Sequence, residues 1–315
     1  MSIVVVKPGS YTTIQSGPRV GSRHLGVPSS GAADPLSLAL ANKLAGNDWD
    51  APALETTLLG PVLRFEQDCT AAVTGADTTL SLNGEAVELH HLLEIQKGDE
   101  LVVGPAEIGA RNYIAFTGGL DADVVLGSAS TYAVAGFGGH QGRALEKGDV
   151  LQIRKTGPVA APVATLPEYR PPMLKSWAIR ACISPETGQL ADGGEGLFGT
   201  NWTVGQRADR MGMQLEGPRL EITSDGRMPS AAVFPGTVQC PENGAPFILS
   251  VDCGTVGGYP RVAQVARLDR HLLGQLRPGD HIRLLLHEPD DVIEEFKAKL
   301  DYWRPWLPEI ESILF

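Results

Sequence analysis

Apolar and β-branched positions fall into short runs along the chain: Ile3–Val6, Ala71–Val73, Leu101–Val103, Tyr113–Phe116, Phe247–Val251 and Ile282–Leu286. Turn-forming pairs bound them, among them Asn83-Gly84, Gly118-Gly119, Asp225-Gly226 and Asn243-Gly244. This punctuation predicts strands joined by tight turns. Barrels or sandwiches suit it better than a doubly wound parallel sheet. Helical periodicity is scarce. Asp34 to Leu44 (DPLSLALANKL) predicts one helix, with Asp34 as N-cap, Pro35 at the first position and Gly46-Asn47 as the stop. A second is predicted from about Asp290 to Tyr302, capped by Asp290 or Asp291, with Val292, Ile293, Phe296 and Leu300 at helical spacing.

Two internal repeats are visible. Leu59-Gly60-Pro61-Val62-Leu63-Arg64-Phe65 returns about half a chain later as Glu216-Gly217-Pro218-Arg219-Leu220-Glu221-Ile222. A Gly-Asp turn ahead of an apolar run occurs at Lys97-Gly98-Asp99, Lys147-Gly148-Asp149 and Pro278-Gly279-Asp280. The simplest organisation is two related β domains, residues 1–156 and 175–288. A Pro-rich seam at 157–174 separates them, and a helical tail at 289–315 follows.

Composition narrows the function. The chain has 315 residues, with 26 Lys+Arg against 37 Asp+Glu and a net charge of −11. That balance argues against a nucleic-acid partner, which calls for a basic surface. The opening Met1–Lys7 has no signal-peptide pattern, and no window approaches the ~18 apolar residues of a membrane helix, so no membrane association is expected. Cys69, Cys182, Cys240 and Cys253 lack disulfide or metal spacing and read as reduced, buried thiols of a cytoplasmic protein. The adjacent His90 and His91 are expected on opposite faces of a strand, and no metal site is expected.

Three constellations could carry chemistry. The densest is Arg19–Asp34, which gathers Arg19, Arg23, His24, Ser30 and Asp34 among glycines, as a loop lining a cleft would. The second is Arg207-Ala208-Asp209-Arg210-Met211-Gly212. The third is Asp252-Cys253-Gly254-Thr255-Val256-Gly257-Gly258-Tyr259-Pro260, where glycines admit close backbone approach to a ligand. Asp34 also reads as a plain helix cap, Arg210 as part of a solvated turn, and Gly254–Gly258 as a strand connection. No P-loop, HExxH, GxSxG or dinucleotide fingerprint occurs.

Arg19…His24-Leu25-Gly26-Val27-Pro28-Ser29-Ser30-Gly31-Ala32-Ala33-Asp34 and Ala53-Leu54-Glu55-Thr56-Thr57-Leu58-Leu59-Gly60-Pro61 resemble the carboxyltransferase domain of urea carboxylase. This family is also called allophanate hydrolase subunit 2 or KipA-like, and it includes the C component of 5-oxoprolinase. The likeness continues through Leu126–Tyr132, Ala135–Gly139, Asp209–Gly212, Gly257–Pro260 and Gln275–Asp280, and covers about residues 1–288. It departs at Ala33, where members commonly have Met, and at Cys253–Val256 and Cys240, which bear on substrate more than on fold.

The resemblance implies a mainly β fold of two related cyclophilin-like β-barrel domains with few short helices. It implies action with a KipI-like protein, the B component, and with an A component where one is encoded. The substrate implied is a small amide presenting N–H beside C=O. A carboxylate such as Asp34 or Asp252 suits the N–H, and arginine or loop N–H groups suit the oxygen. Asp34 and His24 are the candidate catalytic residues. Arg19, Arg23, Ser30, Arg210, Asp252, Thr255, Gly258 and Tyr259 are the candidates for substrate binding. The first functional expectation is a subunit of an ATP-dependent 5-oxoprolinase complex, inactive alone, with ATP handled by the complex. The alternatives are a biotin-dependent carboxyltransferase component acting on urea or a related amide, and a KipA-like regulatory binding protein.

Overall fold

The computed structural model describes residues 2–154, 161–223 and 228–314. The expected Asp225-Gly226 turn and the first part of the Pro-rich seam, 157–160, lie outside them. The chain divides into two compact units: Met1–Arg19 with Ser30–Met173, and Val20–Ser29 with Leu174–Phe315. Ten residues from the middle of the first constellation, 20–29, therefore belong to the second unit.

Unit 1 holds β1 (Ser2–Lys7), β2 (Tyr11–Gln15), helix α1 (Pro35–Leu44), β3 (Ala53–Thr57), β4 (Val62–Phe65), β5 (Cys69–Leu82), β6 (Glu85–Ala86), β7 (Leu92–Ile95), β8 (Glu100–Phe116) and β9 (Val150–Gln152). These form one antiparallel sheet in the order β2-β3-β8-β4-β1-β9, with β5 pairing β6, β7 and β8. The separate runs Leu101–Val103 and Tyr113–Phe116 are two ends of a single 17-residue strand, β8. Register shifts opposite Asp77 to Leu80 let one long strand serve two neighbourhoods of the sheet. Gly75 makes the bend possible: it adopts φ 108°, and a side chain there would strike the Arg111 carbonyl. Ile3, Val5, Ile14, Leu63, Phe65 and Phe116 are among the residues filling the interior. Helix α1 packs on β5 and β8 and is buried nearly all round, as its composition requires.

Unit 2 is a closed barrel. Its strands are β10 (Ser176–Ile183), β11 (Trp202–Ala208), β12 (Gly212–Glu216), β14 (Thr237–Gln239), β15 (Phe247–Leu249), β17 (Arg261–Val265) and β18 (His281–Leu286), in the order β10-β17-β14-β15-β12-β11-β18. The parallel pair β10/β18 closes it. A separate ribbon joins β13 (Ala231–Ala232) to β16 (Val256–Gly257), and a short helix α2 spans Glu195–Gly199. The fold is mainly β with few helices, as expected.

The Gly-Asp repeat is structural. Gly98, Gly148 and Gly279 take φ of 96°, 93° and 91°. The following aspartates accept from the backbone N–H three residues back, Gln96 (2.8 Å), Glu146 (2.8 Å) and Arg277 (3.3 Å). In each turn the glycine N–H donates to a strand residue (Phe65, Val5, Val204) whose own N–H donates to the aspartate carbonyl. The same device thus starts β8, β9 and β18, twice in unit 1 and once in unit 2. The Gly-Pro repeat diverges. Its first copy becomes β4, paired on both sides, whereas the second leaves β12 and reaches only an isolated bridge between Ile222 and Leu190.

The C-terminal helix α3 runs Pro289–Trp303, followed by α4 (Ile310–Ile313). Its N-cap position is Glu288, with no side-chain cap; Asp290 and Asp291 sit in the first turn and favour the helix dipole instead. Leu300 and Trp303 are buried, but Ile293 faces outward and is 51% exposed. His90 is not a strand residue. It occupies a turn with φ 60°, and only His91 makes a β-bridge, to Ala164. Among the described residues no helix is long and apolar enough to cross a membrane.

Candidate functional site

In unit 1 the site residues are built around the start of α1. The Asp34 carboxylate caps the helix, accepting from the Ser37 N–H (3.1 Å) and the Ser37 hydroxyl (2.5 Å). The Asp34 N–H donates to the Tyr113 hydroxyl (2.7 Å), which donates to Glu55 Oε2 (2.8 Å). The same Glu55 oxygen accepts from the Ala33 N–H (2.8 Å), and Arg111 Nε lies 3.5 Å from Glu55 Oε1. All of these side chains are buried. Burial first, then the charges of Glu55 and Asp34, hold the Tyr113 phenol well above its ordinary range, so it stays a neutral donor.

Sequence reasoning passes over Glu55 and Tyr113 as functional residues. The available signal was a carboxylate at the centre of the apolar and β-branched run Ala53-Leu54-Glu55-Thr56-Thr57, which must find partners when buried. Ser30 lies just upstream at φ 50°, buried, and its hydroxyl has no hydrogen-bond partner among the described residues. Arg19 is fully buried. Its Nε donates to the Val125 carbonyl (3.0 Å), a terminal nitrogen donates to the Ser130 carbonyl, and the guanidinium lies 4.9 Å from the centre of the Phe137 ring. Its visible work is to hold the loop Val125–Phe137.

In unit 2 the residues gather at the turn after β15. Arg210 and Asp252 form a buried two-point ion pair, Nε to Oδ2 at 2.7 Å and Nη2 to Oδ1 at 3.1 Å. The Asp252 N–H also donates to the Arg210 carbonyl (2.8 Å). Arg23 donates to the carbonyls of Val233 and of Gly254 (3.2 Å), and stands 5.2 Å from the centre of the Phe234 ring. These contacts fasten the 20–29 segment to this turn. The turn is further tied by backbone: Val233 N–H to the Thr255 carbonyl (3.2 Å), Met228 N–H to the Gly258 carbonyl (2.9 Å), and Gln239 Nε2 to the Tyr259 carbonyl (3.2 Å). His24 and the Tyr259 ring are exposed, while Arg210 and Asp252 are not.

The structure therefore brings Arg23, Arg210, Asp252 and Thr255 to one turn of unit 2, and Ser30 and Asp34 to one strap of unit 1. Burial raises the Cys240 and Cys253 thiols to about 11, which leaves them protonated and poor nucleophiles. All four cysteines are free.

With this fold and these motifs the chain matches the carboxyltransferase domain family, subdomains A and B, over residues 25–286, and it belongs to that family. It is 35% identical over 301 residues to the C component of 5-oxoprolinase from Escherichia coli, covering 95% of each chain. It is 34% identical over 304 residues to urea amidolyase of Lachancea kluyveri, where it spans 17% of that protein. The solved urea amidolyase of K. lactis superposes with a TM-score of 0.87 at 29% identity, over 96% of this chain and 20% of that one.

Proposed function

We propose that this chain is a subunit of an ATP-dependent 5-oxoprolinase complex, which opens the lactam of 5-oxoproline with water to give L-glutamate. The observation that carries this reading is the end-to-end match to a 5-oxoprolinase C component, 95% of both chains, against a sixth of urea amidolyase. The chain would act with the B and A components, in a reducing compartment that suits four free thiols. No residue here is assigned to ATP.

Within that reading, Asp34 and His24 are the groups proposed for proton transfer. Arg23, Ser30, Thr255, Gly258 and Tyr259 would bind the substrate, with cationic and N–H donors meeting charge that develops on the amide oxygen. Arg19 donates to the Val125 carbonyl, and Arg210 and Asp252 are paired with each other, so their proposed contribution is to hold the loops that carry the others. A second reading, carboxyl transfer to urea or a related amide, is favoured by the superposition on urea amidolyase; biotin would then be the carboxyl carrier.

The test mixes the chain with its A and B partner proteins and follows glutamate release from 5-oxoproline with and without ATP. Asp34→Asn keeps an N-cap acceptor while removing the carboxylate, and His24→Ala changes an exposed residue. Release that needs ATP and every component, and drops at least 100-fold in Asp34→Asn, is the expected result. A well-formed complex without release overturns the reading and moves the assay to carboxybiotin with amide acceptors.

A further inference from the structure

The outer face of the unit 2 barrel carries a cleft of about 480 Å³ where β10, β11 and β18 meet. Strand alternation builds it. Ser176 and Ala178 point outward from β10 while Trp177 between them is buried. His281 and Arg283 point outward from β18 while Ile282 is buried. Register sets Ser176 and Thr203 on either side of His281, and Ala178 beside Arg283. The small Ala178 leaves the floor open, and Asn201 adds a side-chain amide at the edge.

The chemistry of this lining is one-sided. It contains a guanidinium, an imidazole, an amide and two hydroxyls, and no carboxylate. The exposed Arg283 side chain makes no hydrogen bond or ion pair among the described residues. The neighbouring acid, Asp280, is turned inward and accepts from the Trp177 indole (3.0 Å). In a chain of net charge −11, this open cleft holds one exposed arginine and no carboxylate, with the Thr203 hydroxyl and His281 Nδ1 3.4 Å apart beside it. A guanidinium fork matches an oxyanion, and the volume lies within the ~300–1,000 Å³ of small-molecule sites.

We propose that this cleft binds a small oxyanion, carboxylate or phosphate, with Arg283 as its charged anchor and Asn201, Thr203, Ser176 and His281 as donors around it. The proposal is independent of the oxoprolinase reading and concerns a site apart from the turn at Asp252.

Calorimetric titration of the full chain in low-salt, non-phosphate buffer tests it, with inorganic phosphate in one arm and L-glutamate in the other. Saturable 1:1 binding is expected in at least one arm, and the tighter arm names the oxyanion. Arg283→Ala should weaken it at least tenfold, with Arg283→Lys in between. Arg219→Ala, which removes an exposed arginine elsewhere on unit 2, should leave it unchanged. Matching melting curves show that the variants are folded. Failure to saturate in both arms overturns the proposal, as does equal affinity in Arg283→Ala.

Discussion

Removing one oxygen atom from unit 1 tests whether the α1 start is held as described. Tyr113→Phe deletes the hydroxyl that accepts from the Asp34 N–H at 2.7 Å and donates to Glu55 Oε2 at 2.8 Å. The Asp34 N–H loses that acceptor inside the core, and Glu55 keeps the Ala33 N–H but loses a donor to its charge. Leaving a buried group unpaired costs ~1–3 kcal/mol, and a hydrogen bond to a charged group contributes ~1.5–3 kcal/mol. The phenyl ring regains ~1 kcal/mol because it no longer carries a polar atom out of water. The expected net loss is about 1.5–5 kcal/mol. For a unit of this size that lowers the melting temperature by roughly 3–20 °C.

The assay is thermal and urea unfolding of the whole chain, with Tyr302→Phe, half-exposed on α3, as the control. A Tyr113→Phe variant within 0.5 kcal/mol of wild type would refute the network as a stabilising unit. The phenol supplies a second readout. Because its folded pKa is raised, its contribution is complete below about pH 10 and is lost as pH climbs through the folded value, so no phenolate absorbance from Tyr113 should appear before unfolding.

Further predictions concern the remaining ion pairs and titratable groups. Asp252→Asn strands the Arg210 guanidinium and should destabilise unit 2 by about 3–5 kcal/mol, whereas Arg210→Met with Asp252→Leu should cost less, as a double-mutant cycle will show. The hydrogen bond from Arg143 holds the Asp149 carboxyl down at about 2, so this partly exposed pair stabilises above about pH 4 and its share, on the order of 1 kcal/mol once solvent screening is counted, is lost as pH falls through 2. Arg143→Ala should move the acid-unfolding midpoint upward. Burial pushes His90 down to about 4, so its stabilising neutral form is complete above about pH 6.5 and lost as pH falls towards 4; its ring protons should not titrate by NMR above pH 5. Native protein should leave Cys240 and Cys253 unmodified by iodoacetamide at pH 7.5, and labelling without unfolding would contradict their burial.

The parts of the fold legible in the sequence were those set by neighbours along the chain. Asp34-Pro35 announces α1, and the carboxylate does cap it. Each Gly-Asp pair marks a turn into a strand, because only a few residue types tolerate φ near 90° and an aspartate can bond three residues back. The site was legible as a composition of polar residues and glycines. Its assembly was not, because sequence distance says nothing about partners: Arg210 meets Asp252 forty-two residues on, and Glu55 meets Tyr113 fifty-eight residues on.

By itself, then, the sequence determined the mainly β character, the helix start, the turns and the family, all carried by short-range sterics and local hydrogen bonds. Tertiary structure decided the rest. It joined two apolar runs into the single strand β8, left one Gly-Pro copy a strand and the other a loop, turned Asp280 inward to the Trp177 indole, and drew residues 20–29 into the second unit. The reason is physical: strand pairing and burial of charge are settled by which distant groups satisfy each other once water is excluded, and a linear pattern does not encode that choice.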